Sequence, residues 1–380
     1  MRFVAKTLYG LEKVLSEELI SMGAGMVQIA NRAVLFEGEM SLLYRVNYAA
    51  RTALSVLLVI ADFRIRSKID LYKEGLKIEW DRYMDPDNTF SIVPVINSPH
   101  FSHTGYPGLI LKDSVADYFR NKTGRRPSVD NSNPTVLINL HISNDMVTIS
   151  LDSSVVPLFK RGYRQDQSVA PLNEVLAAGI ILLSGWKASA TLTDPMCGSG
   201  TLPIEAGLIA CRIPPGKFRQ FFGFQRWRDF DEDLFEKIRN DCNSLIVPSS
   251  VKISGSDISE QTVQVAKANV ARAGLNDAVV LETSDFKDLK ASDDSGYVFL
   301  NPPYGQRIQP EEINNLYNMI GTTLKHNFPG NTAWLITSNK ESLKHVGLKP
   351  KEKHILFNGA LECILLKYEM YQGTKKQGRS

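Results

Sequence analysis

From Thr191 to Thr337 the chain repeats one rhythm, a short apolar run followed by a longer amphipathic one, and few folds accommodate it. The apolar runs at 191–193, 251–255, 278–281, 297–300 and 333–337 predict strands. Helices are expected between them at 201–211, 261–273 and 314–325. Strands separated by helices of that length pair in parallel and are covered on both faces, which gives an α/β, Rossmann-like sheet. The runs at 355–357 and 362–369 are joined only by Asn358-Gly359, so they predict an antiparallel hairpin at the end of the sheet.

The 190 residues before this region follow a different pattern. An extended run at 3–9, a helix at 11–21, a strand at 32–36, a helix at 40–50 and the β-branched run 54–60 suggest a small ferredoxin-like α+β unit. A helix at 71–83, a strand at 90–96, a helix at 109–122 and strands at 135–142 and 147–151 follow, the last two joined by Ser143-Asn144-Asp145. The expected division is a ferredoxin-like domain at 1–60, a second α+β domain at 61–155, a linker at 156–170, the sheet domain at 171–372 and a disordered tail at 373–380.

Composition bounds the function more loosely. With 44 basic and 41 acidic residues the net charge is +3, which permits a nucleic-acid partner without demanding one. Cys197, Cys211, Cys242 and Cys363 form no Cys-x-x-Cys pair, and His100 and His103 lack companion ligands, so neither a disulfide framework nor a metal is expected. The apolar stretches 54–61 and 175–183 are too short to span a bilayer, and the start carries no apolar signal core. The expected location is the cytoplasm.

Three motifs carry chemistry. Asp194-Pro195-Met196-Cys197-Gly198-Ser199-Gly200-Thr201 joins a strand to a helix, where Gly-x-Gly lets a ligand approach backbone N–H groups. Pro203 stands where a dinucleotide fingerprint would need its third glycine, and Asp194 is placed to meet an ammonium group, which S-adenosylmethionine has and NAD lacks. Asp257 ends the next strand and suits ribose hydroxyls or a helix N-cap, while Asp285 ends the third and suits an adenine amine. Asn301-Pro302-Pro303-Tyr304 follows the strand at 297–300. Its prolines stiffen the backbone so that the Asn301 side chain and the Pro302 carbonyl form two fixed acceptors for one NH₂ group, with Tyr304 free to stack on the base.

Two further segments read two ways. Arg125 and Arg126, in the loop 123–130, can reach RNA phosphates or simply follow a helix C-terminus. The insertion 218–233, with Phe221, Phe222, Phe224, Arg226, Trp227 and Arg228, is either a loop packed by its own aromatics or a surface that stacks on RNA.

The polar-Pro-Pro-aromatic string closely resembles the signature of class I methyltransferases that modify exocyclic amines. Read with Arg161-Gly162-Tyr163-Arg164, Pro171-Leu172-Asn173-Glu174 and the Asp194 loop, the chain resembles the THUMP-domain RNA methyltransferases, in particular the guanine-N2 methylase half of bacterial RlmL and its single-activity relatives. Gly124-Arg125-Arg126-Pro127-Ser128-Val129-Asp130 and Ser150-Leu151-Asp152 resemble the THUMP segment, so the likeness covers nearly the whole chain. It implies S-adenosylmethionine as cofactor, RNA as partner and guanine N2 as acceptor, with 23S rRNA ahead of tRNA guanine N2 and adenine N6. A non-catalytic RNA-binding assembly factor is the reading from another class.

Carried over by position, Asp194, Gly198 and Gly200 line the methionine end of the cofactor, with Cys197 and Thr201 of the same loop also among its contacts. Asp257 meets the ribose and Asp285 the adenine, Pro171 and Asn173 belong to a covering segment, and Asn301 faces both cofactor and base. Asn301, Pro302 and Tyr304 form the catalytic set, and Arg125, Arg126 and Tyr304 the RNA contacts. Full-length RlmL carries a second methyltransferase domain beyond the point where this chain ends, which leaves the target nucleotide undecided.

Overall fold

The computed structural model describes residues 1–101, 103–164, 172–303 and 309–371. The chain divides into two compact units. One comprises Met1–Thr7, Leu15–Leu158 and Arg219–Asp241; the other comprises Leu8–Val14, Phe159–Phe218 and Cys242–Ser380.

The elements up to Asp152 are β1 (Arg2–Lys6), α1 (Glu12–Ser21), β2 (Gly25–Ala30), β3 (Ala33–Glu37), α2 (Met40–Ala49), β4 (Ser55–Arg64), α3 (Lys68–Leu76), β5 (Thr89–Asn97), α4 (Tyr106–Thr123), β6 (Ser128–Val129), β7 (Val136–Ser143) and β8 (Met146–Asp152). Their strands form one eight-stranded sheet in the order β2-β3-β1-β4-β8-β7-β5-β6. Strand β4 makes this continuity: its first half pairs with β1 and its length from Leu57 to Arg64 with β8, across a register shift between Val59 and Ala61. The expected boundary between residues 60 and 61 therefore falls inside a strand, because 61–64 alternates polar and apolar residues and extends the β-branched run.

One other expectation shifts, and one strand has no expected counterpart. The helix expected at 71–83 starts earlier, at Lys68 behind a Ser67/Asp70 capping box, and ends at Leu76. Trp80 then turns back in a single 3₁₀ turn and its Nε1–H donates to Gly75 O at 2.9 Å, which satisfies the end of α3. Strand β2 has apolar residues, Met26, Val27, Ile29 and Ala30, but they do not alternate, and it is an edge strand, largely exposed and irregularly paired between Gly25 and Gln28.

The aromatic insertion resolves in favour of packing. Phe222, Phe224, Trp227 and Phe235 are buried, and Phe224 stacks on Tyr44 of α2 at 4.5 Å and on Phe222 at 5.4 Å. Its cations are spent on the same unit: Arg219 donates to the carbonyls of Val156 and Pro157, Arg226 to Asn133 and Pro134, and Arg228 to Asp81 O. The ring contacts are worth about 1 kcal/mol beyond area, so Phe224→Leu should lower the thermal midpoint by about 2–4 °C and leave cofactor affinity unchanged. Differential scanning calorimetry with parallel cofactor titration checks this.

The remaining elements are α5 (Glu174–Leu183), β9 (Leu192–Asp194), α6 (Thr201–Ala210), α7 (Glu232–Asn243), β10 (Ile253–Asp257), α8 (Glu260–Arg272), β11 (Val279–Thr283), β12 (Tyr297–Leu300), α9 (Pro310–Asn327), β13 (Thr332–Thr337), β14 (Glu352–Asn358) and β15 (Leu361–Glu369). Among the described residues these strands form a seven-stranded sheet in the order β11-β10-β9-β12-β13-β15-β14. The pairs from β11 to β13 are parallel; β15 runs antiparallel to both β13 and β14. The terminal hairpin is the expected one, with Gly359 at φ +66° in its turn.

On one side the core joins Val298 and Leu300 of β12 and Leu335 of β13 to Tyr317, Ile320 and Leu324 of α9. Burying each such aliphatic side chain contributes about 1.5–3 kcal/mol. The strand order reverses between β9 and β12, and a crevice opens at such a switch point outside the carboxyl ends of the strands. No helix among the described residues is long and apolar enough to cross a membrane.

Candidate active site

A cavity of about 600 Å³ occupies that crevice. It is built from the ends of four parallel strands: Asp194 of β9, Asp257 of β10, Ser284 and Asp285 just past β11, and Asn301, Pro302 and Pro303 just past β12. The loop from Pro195 to Ser199 and the start of α6 form one wall, and Leu316 and Met319 of α9 another.

The loop after β9 is held by its neighbours. Cys197 N–H donates to Ser256 O at 2.8 Å, Gly200 N–H to Cys197 O at 2.8 Å, and the buried Asn269 of α8 donates from Nδ2 to Ser199 O at 3.0 Å. Gly200 has φ +83°, and a Cβ there would stand 3.2 Å from the Ala266 methyl of α8, so both conformation and space call for glycine. Asp257 ties the loop to β10: its Oδ2 accepts from Gly198 N–H at 3.1 Å and its Oδ1 from Ser259 N–H at 3.0 Å. The cap of α8 is Ser259, whose Oγ accepts from Thr262 N–H, so Asp257 is not the cap.

The acids differ in state. Asp194 is fully buried, and desolvation, helped by nearby Asp257 and opposed by the Met196 N–H, pushes its pKa up to about 8. No basic side chain among the described residues pairs with it, so the cavity holds a buried carboxyl group suited to a cation. Asp285 is held below the usual carboxylate range, chiefly by Lys287, whose Nζ lies 2.9 Å from Oδ2. Burial and the carboxylates of Asp194 and Asp257 push the Cys197 thiol far up and favour its protonated form. Asn301 Oδ1 is buried and has no hydrogen-bond partner among the described residues. A buried acceptor without a described partner at the end of an apolar strand is open to a donor that enters the cavity.

The structure thus brings together Asp194, Cys197, Gly198, Thr201, Asp257, Asp285, Asn301 and Pro302, with Gly200 behind them as the left-handed residue that starts α6. Pro171 and Tyr304 lie outside the described residues. Asn173 does not line the cavity: its Oδ1 caps α5, accepting from Val175 and Leu176 N–H, and its neighbour Leu172 lines the wall instead. Sequence reasoning missed Ile258, Thr262, Phe286, Leu316 and Met319. For Ile258 and Phe286 a signal existed, an apolar residue directly after each acidic strand end.

A buried ionic group explains the segment Arg161-Gly162-Tyr163-Arg164. Arg161 Nε lies 3.4 Å from Glu205 Oε1 of α6, and Tyr163 OH donates to the same oxygen at 3.1 Å. Burial, with Glu205 and Glu174 nearby, raises the Tyr163 phenol well above its ordinary value and keeps it a donor. Gly162, at φ +108°, passes so close to Phe218 O that a Cβ would stand 2.3 Å from it. Arg164 Nη1 pairs with Glu174 Oε1 at 3.3 Å.

The two basic residues expected to meet RNA belong to the other unit. Arg125 forms an ion pair with Asp87. Arg126 lines a concavity of about 860 Å³ together with Lys68, Tyr72, Tyr106 and Arg120.

Comparison with known proteins follows the same order along the chain. An RlmL ferredoxin-like domain matches residues 2–57, a THUMP domain 66–152 and an RMKL-like methyltransferase domain 161–367. The "Putative RNA methyltransferase slr0064" of Synechocystis is 36% identical over 97% of this chain and 97% of its own length. "Ribosomal RNA large subunit methyltransferase K/L" of Syntrophotalea carbinolica is 34% identical over 97% of this chain, which spans 54% of that longer protein. Among solved structures, "SMU.472, a putative methyltransferase complexed with SAH" superposes with a TM-score of 0.88 at 29% identity, covering 98% of this chain and 99% of the other.

Proposed function

The chain belongs to the RMKL-like family as an S-adenosylmethionine-dependent RNA methyltransferase, and on that premise we propose that it methylates the exocyclic N2 of a guanine in 23S rRNA. The observation that carries the site assignment is the orphaned Asn301 Oδ1, set in one cavity with Asp194, Asp257 and Asp285.

The cavity fits the cofactor piece by piece. Asp194 suits the ammonium of the methionine end, the Gly198 and Ser199 backbone its carboxylate, and Asp257 the ribose hydroxyls. Ile258 and Phe286 offer apolar surface for the adenine, with Asp285 beside them for its amine. S-adenosylmethionine supplies a methyl group already activated by the sulfonium, so no protein nucleophile is needed.

What the protein must supply is a positioned amine. Asn301 Oδ1 and the Pro302 carbonyl accept from the two N–H bonds of the base amine, which orients the nitrogen and favours its pyramidal, more nucleophilic form. Tyr304, after Pro303, stacks on the base. RNA is gripped by the THUMP segment, where Arg126 and Lys68 offer cations to phosphates and Tyr106 a ring face, with Arg120 beside them paired to Asp117. The name of the K/L relative supports a large-subunit rRNA target.

Nucleoside mass spectrometry of fractionated RNA from a deletion strain tests this. N2-methylguanosine should disappear from one position of 23S rRNA and return on complementation. Its loss from tRNA instead, or loss of N6-methyladenosine, would replace the proposed substrate with one of those. Unchanged RNA together with no cofactor binding would leave an RNA-binding assembly factor as the reading.

A further inference from the structure

Arg164 stands out among the charged residues of the sheet unit because it touches two walls of the cavity without lining it. Its Nη2 donates to the Leu172 carbonyl at 3.5 Å and to the Thr201 hydroxyl. Leu172 precedes α5, Thr201 is the first residue of α6, and both line the cavity. Nη1 pairs with Glu174, itself buried in the first turn of α5. The described contacts of the buried guanidinium all run through its two Nη atoms.

We propose that Arg164 is a positioning residue for the cofactor: its planar guanidinium fixes Leu172 relative to Thr201 and so sets the width of the cavity beside the Gly198–Gly200 loop. The proposal rests on that cavity being the cofactor site argued above. A planar fork presents its donors to a carboxylate, a carbonyl and a hydroxyl in preset directions, whereas the three donors of an ammonium sit on a flexible stem and need not reach all three. Glu174 meanwhile acts as counter-ion, keeping the guanidinium compensated inside the protein.

Arg164→Lys in the full chain separates this from a purely structural role, because it keeps the charge that Glu174 needs. Calorimetric titration should give a Kd for S-adenosylmethionine about tenfold higher, while KM for RNA and kcat at saturating cofactor stay within about twofold. Thr201→Val, which removes the hydroxyl acceptor, should weaken cofactor binding severalfold alone and add less than about twofold in the Arg164→Lys background.

Wild-type affinity in Arg164→Lys, or additive effects in the double variant, overturns the proposal. So does a parallel fall in thermal midpoint, cofactor affinity and RNA affinity, which marks plain destabilisation. Asp257→Ala distinguishes the underlying site assignment: if it binds cofactor normally, the cavity is the wrong site, whereas a binding defect there with normal Arg164→Lys removes only the clamp.

Discussion

Asn301→Ala should lower turnover on RNA on the order of 10²–10³-fold while shifting cofactor Kd by no more than about twofold. The size follows from the state of the side chain: Oδ1 is buried at the end of β12 and no group among the described residues donates to it. An acceptor kept dry and unpaired is already desolvated and oriented when the base amine arrives, so its contribution appears in the reaction rather than in stability. Asn301→Asp retains an acceptor in the same place and should keep much more of the activity than Asn301→Ala. Steady-state kinetics on the RNA substrate, paired with cofactor titration, decide the matter. A normal rate for Asn301→Ala means that the base is held elsewhere.

Much of this site was legible because its chemistry sits at strand ends. An apolar run stopped by Pro302 and Pro303 announces both β12 and the placement of Asn301, and β12 occupies the predicted residues 297–300. The alternation of strands and helices announced the parallel pairing, while the order of the strands came only with the fold. What the sequence hid depends on tertiary packing. Helix α7 lies directly behind an insertion whose aromatics draw attention to themselves, although Asp231, which accepts from Leu234 N–H at 2.9 Å, followed by Glu232 and Asp233, is a readable helix start.

Leu316 and Met319 reach the cavity only because α9 folds back over it. The pairing of Arg161 with Glu205 joins residues 44 apart in sequence, and nothing local in either segment announces it. Asn173 shows how a local role hides in a motif: a residue attributed to cofactor binding by family likeness uses its Oδ1 to cap α5. Motif likeness locates a segment reliably, but the direction of each side chain within it is decided by the nearest unsatisfied backbone group.

Cofactor affinity should rise with pH up to about 8 and then level off, because Asp194 must give up a proton before it can receive an ammonium. Burial holds its folded pKa near 8, whereas an unfolded Asp titrates near 4, so between those values the folded chain carries a proton that the unfolded chain lacks. Stability without cofactor therefore falls as pH rises through that interval and becomes flat above about 8. A bound cation reverses the preference, so binding below pH 8 releases the proton and Kd falls by at most about tenfold per pH unit. Asp194→Asn separates the two effects by sign. It should raise the cofactor Kd about 100-fold at pH 8 and abolish the pH slope, since the amide offers no charge to the ammonium. It should also make the cofactor-free protein more stable at pH 9, since no carboxylate is left to desolvate. Titration calorimetry from pH 6 to 9, together with thermal melts of the free protein, reads both. A wild-type Kd that ignores pH, or a variant that binds normally, would place the ammonium away from Asp194.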